Sequence, residues 1–251
     1  MKEIESWLSE EERKQIFSAD YWNDIENEKK KEWWIQGGNY QPCLNYLERS
    51  KLMDEYRSSE PWLKSVSGND LKVLDLAAGI GWTSALISKL NNVKTIYAVE
   101  LSQHRLELFE EAFQMLEGKV DKCQRYSGSF YDLKFEDSSV DVIYMSQAFH
   151  HADKPIPLLV ECDRVLKPGG RIILVGEHNI TPFRILKRFV KTLLTKQSAV
   201  TDFHLLFPPN PIVGDHYYRR SDYYFMFHGM GYKLQHEVCS SGNAIFIADK
   251  I

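Results

Sequence analysis

The sequence predicts an α/β protein whose open, mostly parallel sheet is flanked by helices, and three observations carry that prediction. Short apolar runs alternate with helix-spaced segments from residue 71 to about 177, the pattern of strand–helix–strand units that build parallel sheets. Residues 71–77 form a short apolar run around Asp75, which reads as a buried first strand. Gly79 and Gly81 follow it at once, and helical spacing then runs over 83–90.

The elements follow in chain order. Residues 1–66 show no β-like run. Charged residues alternate there with Trp7, Phe17, Tyr21, Trp22, Trp33, Trp34, Tyr40, Tyr46, Tyr56 and Trp62. This is expected to be a helical N-terminal extension or lid, with one helix starting behind Ser9 on the acidic turn Glu10–Glu12. The main domain is expected over 67–251, with an insertion at about 178–220. A second apolar strand at 95–99 ends in Glu100. The insertion holds TPFRILKRFVKTLLTK (181–196), whose apolar residues recur at helical spacing beside Arg184, Lys187, Arg188, Lys191 and Lys196, with no acid. A helix packing its apolar stripe on the core is expected, the alternatives being contact with an anionic membrane or a grip on an anionic substrate.

Composition narrows the function classes. The chain has 251 residues and a net charge of −4, which supplies no general drive toward nucleic acid. Cys43, Cys123, Cys162 and Cys239 are far apart and form no Cys-x-x-Cys pair, so neither a disulfide framework nor a metal site is expected. The polar, acidic start and the lack of any run of about 18 apolar residues predict a cytoplasmic location.

The chemistry lies in the first strand, turn and helix. A strand entering a helix through glycines brings backbone N–H groups and a positive helix end to a ligand. Glycine also lets that ligand approach without a Cβ in the way. A carboxylate at the tip of the next strand, Glu100, is placed to accept from both hydroxyls of a ribose. GIGWTS (79–84) also passes for a dinucleotide fingerprint with Ser84 in the third place, so a nicotinamide-dependent oxidoreductase is a rival reading.

Three longer stretches separate the readings: VLDLAAGIGW (73–82), GSFYDLKFEDSSVDVIYMSQAFHH (128–151) and RVLKPGGRIILVGE (164–177). Together with Glu100 they resemble the class I S-adenosylmethionine-dependent methyltransferases, in particular the group that includes the ubiquinone and menaquinone C-methyltransferases. The resemblance implies S-adenosylmethionine as cofactor, S-adenosylhomocysteine as product, and a Rossmann-like seven-stranded sheet. Its last hairpin, at 233–239 and 244–249, would add an antiparallel strand. The implied cofactor residues are Asp75, Ala77, Gly79, Gly81, Glu100, Leu101, Ser129, Phe130, Ser146 and Gln147. Ala77 and Trp82 stand where the family motif has glycines, and Ser129 where it often has Asp. A hydroxyl there is a weaker acceptor for an adenine amine, while Phe130 would pack on the ring face.

The acceptor side is less determined. In the family the reacting methyl lies above the carboxyl ends of the strands, and an acceptor O–H needs a base nearby. The candidate bases are His178, His151 and His216, with His150, Glu177 and His204 also near that rim. GDHYYRR (214–220) has the mixture of groups a polar-substrate pocket would use, or equally that of a hydrogen-bonded helix start. The leading expectation is O-methylation of a sugar or carboxylate-bearing small molecule. The Asn/Asp-Pro-Pro-Tyr/Phe motif that positions base amines is replaced by Ser146, Gln147, Ala148 and Phe149. C- or N-methylation of a small metabolite is the alternative, and a non-catalytic cofactor-binding protein is the rival from another class.

Overall fold

The computed structural model describes residues 1–16, 19–196 and 201–251. Its elements begin with β1 (Glu5–Ser6), α1 (Glu10–Gln15), α2 (Ala19–Trp22), α3 (Ile25–Glu28), α4 (Gln41–Arg49) and α5 (Leu52–Lys64). The domain proper follows with β2 (Leu71–Leu76), α6 (Trp82–Ile87), β3 (Val93–Glu100), α7 (Gln103–Glu107), α8 (Phe109–Met115), β4 (Cys123–Ser127) and β5 (Val140–Ser146). It ends with α9 (Pro155–Val165), β6 (Leu166–Glu177), α10 (Pro182–Lys196), α11 (Phe203–Leu206), α12 (Arg220–Gly229), β7 (Tyr232–Val238) and β8 (Ala244–Lys250). Phe17, one of the aromatics of the N-terminal region, lies outside the described residues, as does the 197–200 part of the insertion.

One sheet runs β1-β4-β3-β2-β5-β6-β8-β7. The strands from β1 to β6 pair in parallel, and β8 lies antiparallel between β6 and β7. The mixed α/β architecture and antiparallel terminal pair are those the sequence predicts. The central strands are apolar because helices cover both faces. Val73, Leu74, Leu76, Val142, Ile143, Ile172 and Leu174 are fully buried, and the four cysteines are buried free thiols.

The sheet has one strand more than the expected seven. Glu5 and Ser6 pair with Tyr126 and Ser127, although the N-terminal region shows no β-like run. Tertiary packing makes the strand: the Trp7 ring lies 4.7 Å from that of Tyr126 and 5.1 Å from Phe135. The Trp7 N–H donates to Ser127 O at 2.8 Å. The helix behind Ser9 forms as expected, with a capping box. The Ser9 hydroxyl accepts the Glu12 N–H at 3.2 Å and the Glu12 carboxylate accepts the Ser9 N–H at 2.9 Å.

Helix α10 departs from expectation. Only part of its apolar stripe packs inward, where Ile185 and Phe189 meet Ile180, Phe203, Leu206, Phe207 and Tyr217. Phe183, Leu186, Val190, Leu193 and Leu194 are 40–75% exposed. The small cluster beneath the helix is narrower than its apolar arc, so one face stays uncovered.

Candidate functional site

At the carboxyl ends of β2 and β3 the backbone turns sharply. Ala77 (φ 53), Gly79 (φ 57) and Gly81 (φ 82) all occupy the left-handed region, which favours glycine and which alanine enters at a cost of about 1–2 kcal/mol. Ala77 thus holds the conformation that the glycine of the family motif would supply. Glu100, buried at the tip of β3, braces this turn: its carboxylate accepts the Gly79 N–H at 2.8 Å and the Ser102 N–H at 2.9 Å. Each carboxylate oxygen retains a lone pair for a further donor.

These residues wall a cleft of about 460 Å³, within the usual range for small-molecule sites. Of the sequence-predicted cofactor residues, Ala77, Gly79, Glu100, Leu101, Ser129, Phe130, Ser146 and Gln147 line it. A Cβ built on Gly79 would meet nothing within 4 Å, so that glycine faces open space. Ser146 Oγ is buried without a hydrogen-bond partner among the described residues. Ser129 Oγ accepts the Tyr131 N–H at 3.2 Å.

Asp75 and Gly81 lie apart from the cleft wall. Asp75 is buried beneath the turn, where its Oδ2 accepts from Thr83 Oγ1 at 2.7 Å and from Ser84 Oγ at 2.6 Å. Burial pushes its carboxyl up to about 6 against the pull of those two hydroxyls. A Cβ on Gly81 would sit 2.6 Å from the Phe109 ring. The first acid of the motif ties β2 to α6, and the second glycine serves packing.

His151 also lines the cleft. Its Nδ1 lies 3.1 Å from Asp215 Oδ1, and its ring lies 4.8 Å from that of Trp22. The imidazole holds the Asp215 carboxyl below its ordinary range. His150 is buried behind it, with Nδ1 3.1 Å from Glu177 Oε2, and Glu177 also accepts from Tyr223 OH at 2.9 Å and the Phe149 N–H at 3.1 Å. Burial alone would lower the His150 pKa, but the adjoining Glu177 carboxylate raises it. Among the described residues, His150, His151 and Asp215 are the one group of three whose ligand atoms, within 4.8 Å of one another, could hold a metal ion. Each imidazole already faces a carboxylate, an arrangement suited to proton transfer.

His178 and His216 do not line the cleft. The His178 ring lies 4.8 Å from both His150 and Tyr217, and burial followed by repulsion from His150 lowers its pKa. The His216 N–H donates to His150 O at 2.7 Å, which ties the insertion to this rim. His204 lies on α11, in the insertion.

Several lining groups come from outside the motifs, and of these only the aromatics of the N-terminal region are marked by the sequence. Ile16, Trp22 and Trp33 of the N-terminal extension close one side, and Arg105 and Asn243 join the wall. Arg105 lies 4.9 Å from the centre of the Trp22 ring and 5.1 Å from that of Trp33. Its guanidinium is paired with buried Glu28 of α3, which also bonds His104. Burial disfavours the charged Glu28, yet these two partners hold its pKa below the ordinary value. Arg13 donates to Leu101 O and Ser127 Oγ, and Ser102 Oγ to Trp22 O. On the opposite side Glu55 of α5 accepts from Gln147 at 2.7 Å and from Asn243 at 2.9 Å. Gln147, at φ 54, is thereby fixed in a backbone state that non-glycine residues seldom adopt.

An open sheet of this topology, with a glycine turn and a strand-tip carboxylate at the cleft, defines a nucleoside-binding α/β domain. The family model described as a methyltransferase domain matches residues 74–174, and the chain contains a class I S-adenosylmethionine-dependent methyltransferase domain. It is similar to an uncharacterized methyltransferase of Schizosaccharomyces pombe, with 30% identity over 61% of this chain and 55% of the relative. It is 34% identical to the sarcosine/dimethylglycine N-methyltransferase of Aphanothece halophytica, over 41% of this chain and 36% of that protein. It is also 29% identical to the demethylmenaquinone methyltransferase of Staphylococcus aureus, over 53% of this chain and 56% of that protein. The chain therefore spans about half the length, or less, of the curated relatives it matches. Among solved structures, it shares the fold of the magnesium protoporphyrin IX methyltransferase of Synechocystis with bound SAH (TM-score 0.60, 13% identity, 92% of this chain and 97% of that one). It is similar too to an Aquifex aeolicus SAM-dependent methyltransferase (TM-score 0.55, 18% identity, 81% and 98%).

Proposed function

We propose that this protein transfers a methyl group from S-adenosylmethionine to an oxygen of a small-molecule acceptor, with His151 taking the acceptor's proton. The observation that carries this reading is the shape of the cleft wall. Gly79 and Glu100 line the same cleft as His151, whose Nδ1 lies 3.1 Å from Asp215 Oδ1. Three features of the wall suit a nucleoside: open space over Gly79, spare acceptor capacity on Glu100 and a Ser146 hydroxyl with no partner among the described residues. We assign Gly79, Glu100, Leu101, Ser129, Phe130, Ser146 and Gln147 to cofactor contact, with Ala77 shaping the turn. Asp75 and Gly81 support that wall from behind. Bound there, S-adenosylmethionine supplies the methyl on a sulfonium leaving group, so what remains for the protein is orientation and proton removal.

Asp215, whose Oδ1 lies 3.1 Å from His151 Nδ1, is the charge that would hold the ring, leaving Nε2 to accept the acceptor proton. His178 and His216 then support this pair from behind. Residues 1–66 act as a lid over the 67–251 domain, because Trp22 and Trp33 close the cleft and exclude water. A second reading is favoured by that aromatic wall: C-methylation of an apolar ring acceptor, in keeping with curated relatives named as demethylmenaquinone and sterol methyltransferases.

Turnover of a panel of sugars, carboxylates and phenols with methyl-labelled S-adenosylmethionine tests the proposal. The carbon chemical shift of the product methyl distinguishes oxygen from carbon as the new partner. His151→Gln is expected to lower kcat by about 10²–10⁴-fold, with S-adenosylhomocysteine affinity intact. Unchanged kcat would remove His151 from the proton path, and a carbon-bound product would replace the first reading by the second. Binding of nicotinamide cofactors in place of S-adenosylhomocysteine would overturn both.

A further inference from the structure

Helix α10 divides into three faces when its residues are set at about 100° intervals. Ile185 and Phe189 point into the molecule. Phe183, Leu186, Val190, Leu193 and Leu194 form the adjoining arc, all exposed, with Phe183 at 74% and Leu194 at 75%. Arg184, Lys187, Arg188 and Lys191 fill the remaining arc, with no acid anywhere from 181 to 196. Arg184 bonds Asn179 O at 2.9 Å, and Arg188 lies 4.9 Å from the centre of the Phe207 ring. Lys187 and Lys191 are exposed and form no ion pair among the described residues. Leu205 of α11, which lies against α10, is 70% exposed as well.

We propose that α10 seats the protein on an anionic lipid surface, with its apolar arc entering the headgroup boundary and its basic arc meeting lipid phosphates. A long apolar arc in water is unfavourable and marks an interaction site. Two copies apposed through α10 would bring their basic arcs together, so the uninterrupted positive charge beside the apolar arc selects a negatively charged partner in preference to that pairing. An interfacial helix needs this pairing of an apolar face with a basic one. The helix also stands next to the candidate acceptor end. The cluster beneath it includes Tyr217, which stacks on His178, and His178 in turn adjoins His150. A protein lying on a bilayer through α10 would hold that rim near the lipid.

Co-sedimentation of the full chain with phosphatidylcholine vesicles, with and without phosphatidylglycerol, tests this without cofactor or acceptor. Its failure is therefore separable from failure of the methyl-transfer reading. Wild-type protein is expected to sediment with the anionic vesicles and to be released as salt rises. Each basic residue near such a surface contributes about fivefold, so Lys187→Gln/Lys191→Gln should weaken partitioning roughly 30-fold. Phe183→Ser/Leu186→Ser/Leu194→Ser should abolish it at every salt concentration, with circular dichroism reporting an intact fold. Lack of wild-type binding, or binding indifferent to both variants, overturns the proposal. So does a wild-type dimer in sedimentation equilibrium that the apolar variant converts to monomer while vesicle binding is nil.

Discussion

Gly79 and Gly81 are two residues apart and both at positive φ, yet they answer to different forces. Above Gly79 there is open cleft, whereas Gly81 is pressed against the Phe109 ring. Gly79→Val is expected to abolish S-adenosylhomocysteine binding and leave most of the fold, because the branched side chain would occupy ligand space. Gly81→Ala is expected to destabilise by about 1–3 kcal/mol through overpacking and an unfavourable φ, with affinity nearly unchanged; calorimetric titration beside thermal melts separates the two. Glu100→Ala removes charge-assisted hydrogen bonds worth about 1.5–3 kcal/mol each, so cofactor affinity should fall at least tenfold. An unchanged dissociation constant would remove Glu100 from the site. Asp75 gives a pH test. Its carboxyl is raised to about 6 in the folded protein, against about 3.9 in the unfolded chain. The folded state therefore holds the proton more tightly, and this group's contribution falls as pH rises from about 4 to about 6. Melting temperatures of wild type and Asp75→Asn should diverge across that window and run parallel above it. Parallel curves throughout would show that burial does not shift this carboxyl.

At the scale of elements, the N-terminal helices are held to the domain by a few buried polar links. Glu28→Gln would leave Arg105 buried without its counter-charge, a change of about 3–5 kcal/mol when a buried pair is broken. If the N-terminal segment opens to relieve it, amide exchange over residues 19–35 should quicken at least 100-fold while β2 to β6 keep their protection. Equal loss of protection in both regions would mean that the extension and the sheet unfold as one unit. The sequence makes some elements plain and hides others for physical reasons. β2 and β3 are visible because their apolar runs are continuous and end in Gly79 and Glu100. β1 is two polar residues and has no pattern to read. α10 is visible as an amphipathic helix, but periodicity cannot say how wide a stripe its neighbours will cover. The cleft is legible where motif residues are contiguous and illegible where the wall comes from remote segments. Thus Arg105 and Asn243 are ordinary polar residues until the fold brings them to the cleft, Asn243 held there by Glu55, and the His151–Asp215 pair joins residues 64 positions apart.

Over the whole molecule, the cleft is framed by the sheet's carboxyl edge below and by the N-terminal aromatics to one side. α10 lies beyond the histidine rim. The two-residue strand β1 has a further consequence. By pairing with Tyr126 and Ser127 it covers part of the hydrogen-bonding edge of β4, backed by Trp7. A chain trimmed before α1 would bare that row of N–H and C=O groups, and an unprotected strand edge recruits other chains. The same short segment that leads into α1 is thus a guard against edge-to-edge aggregation.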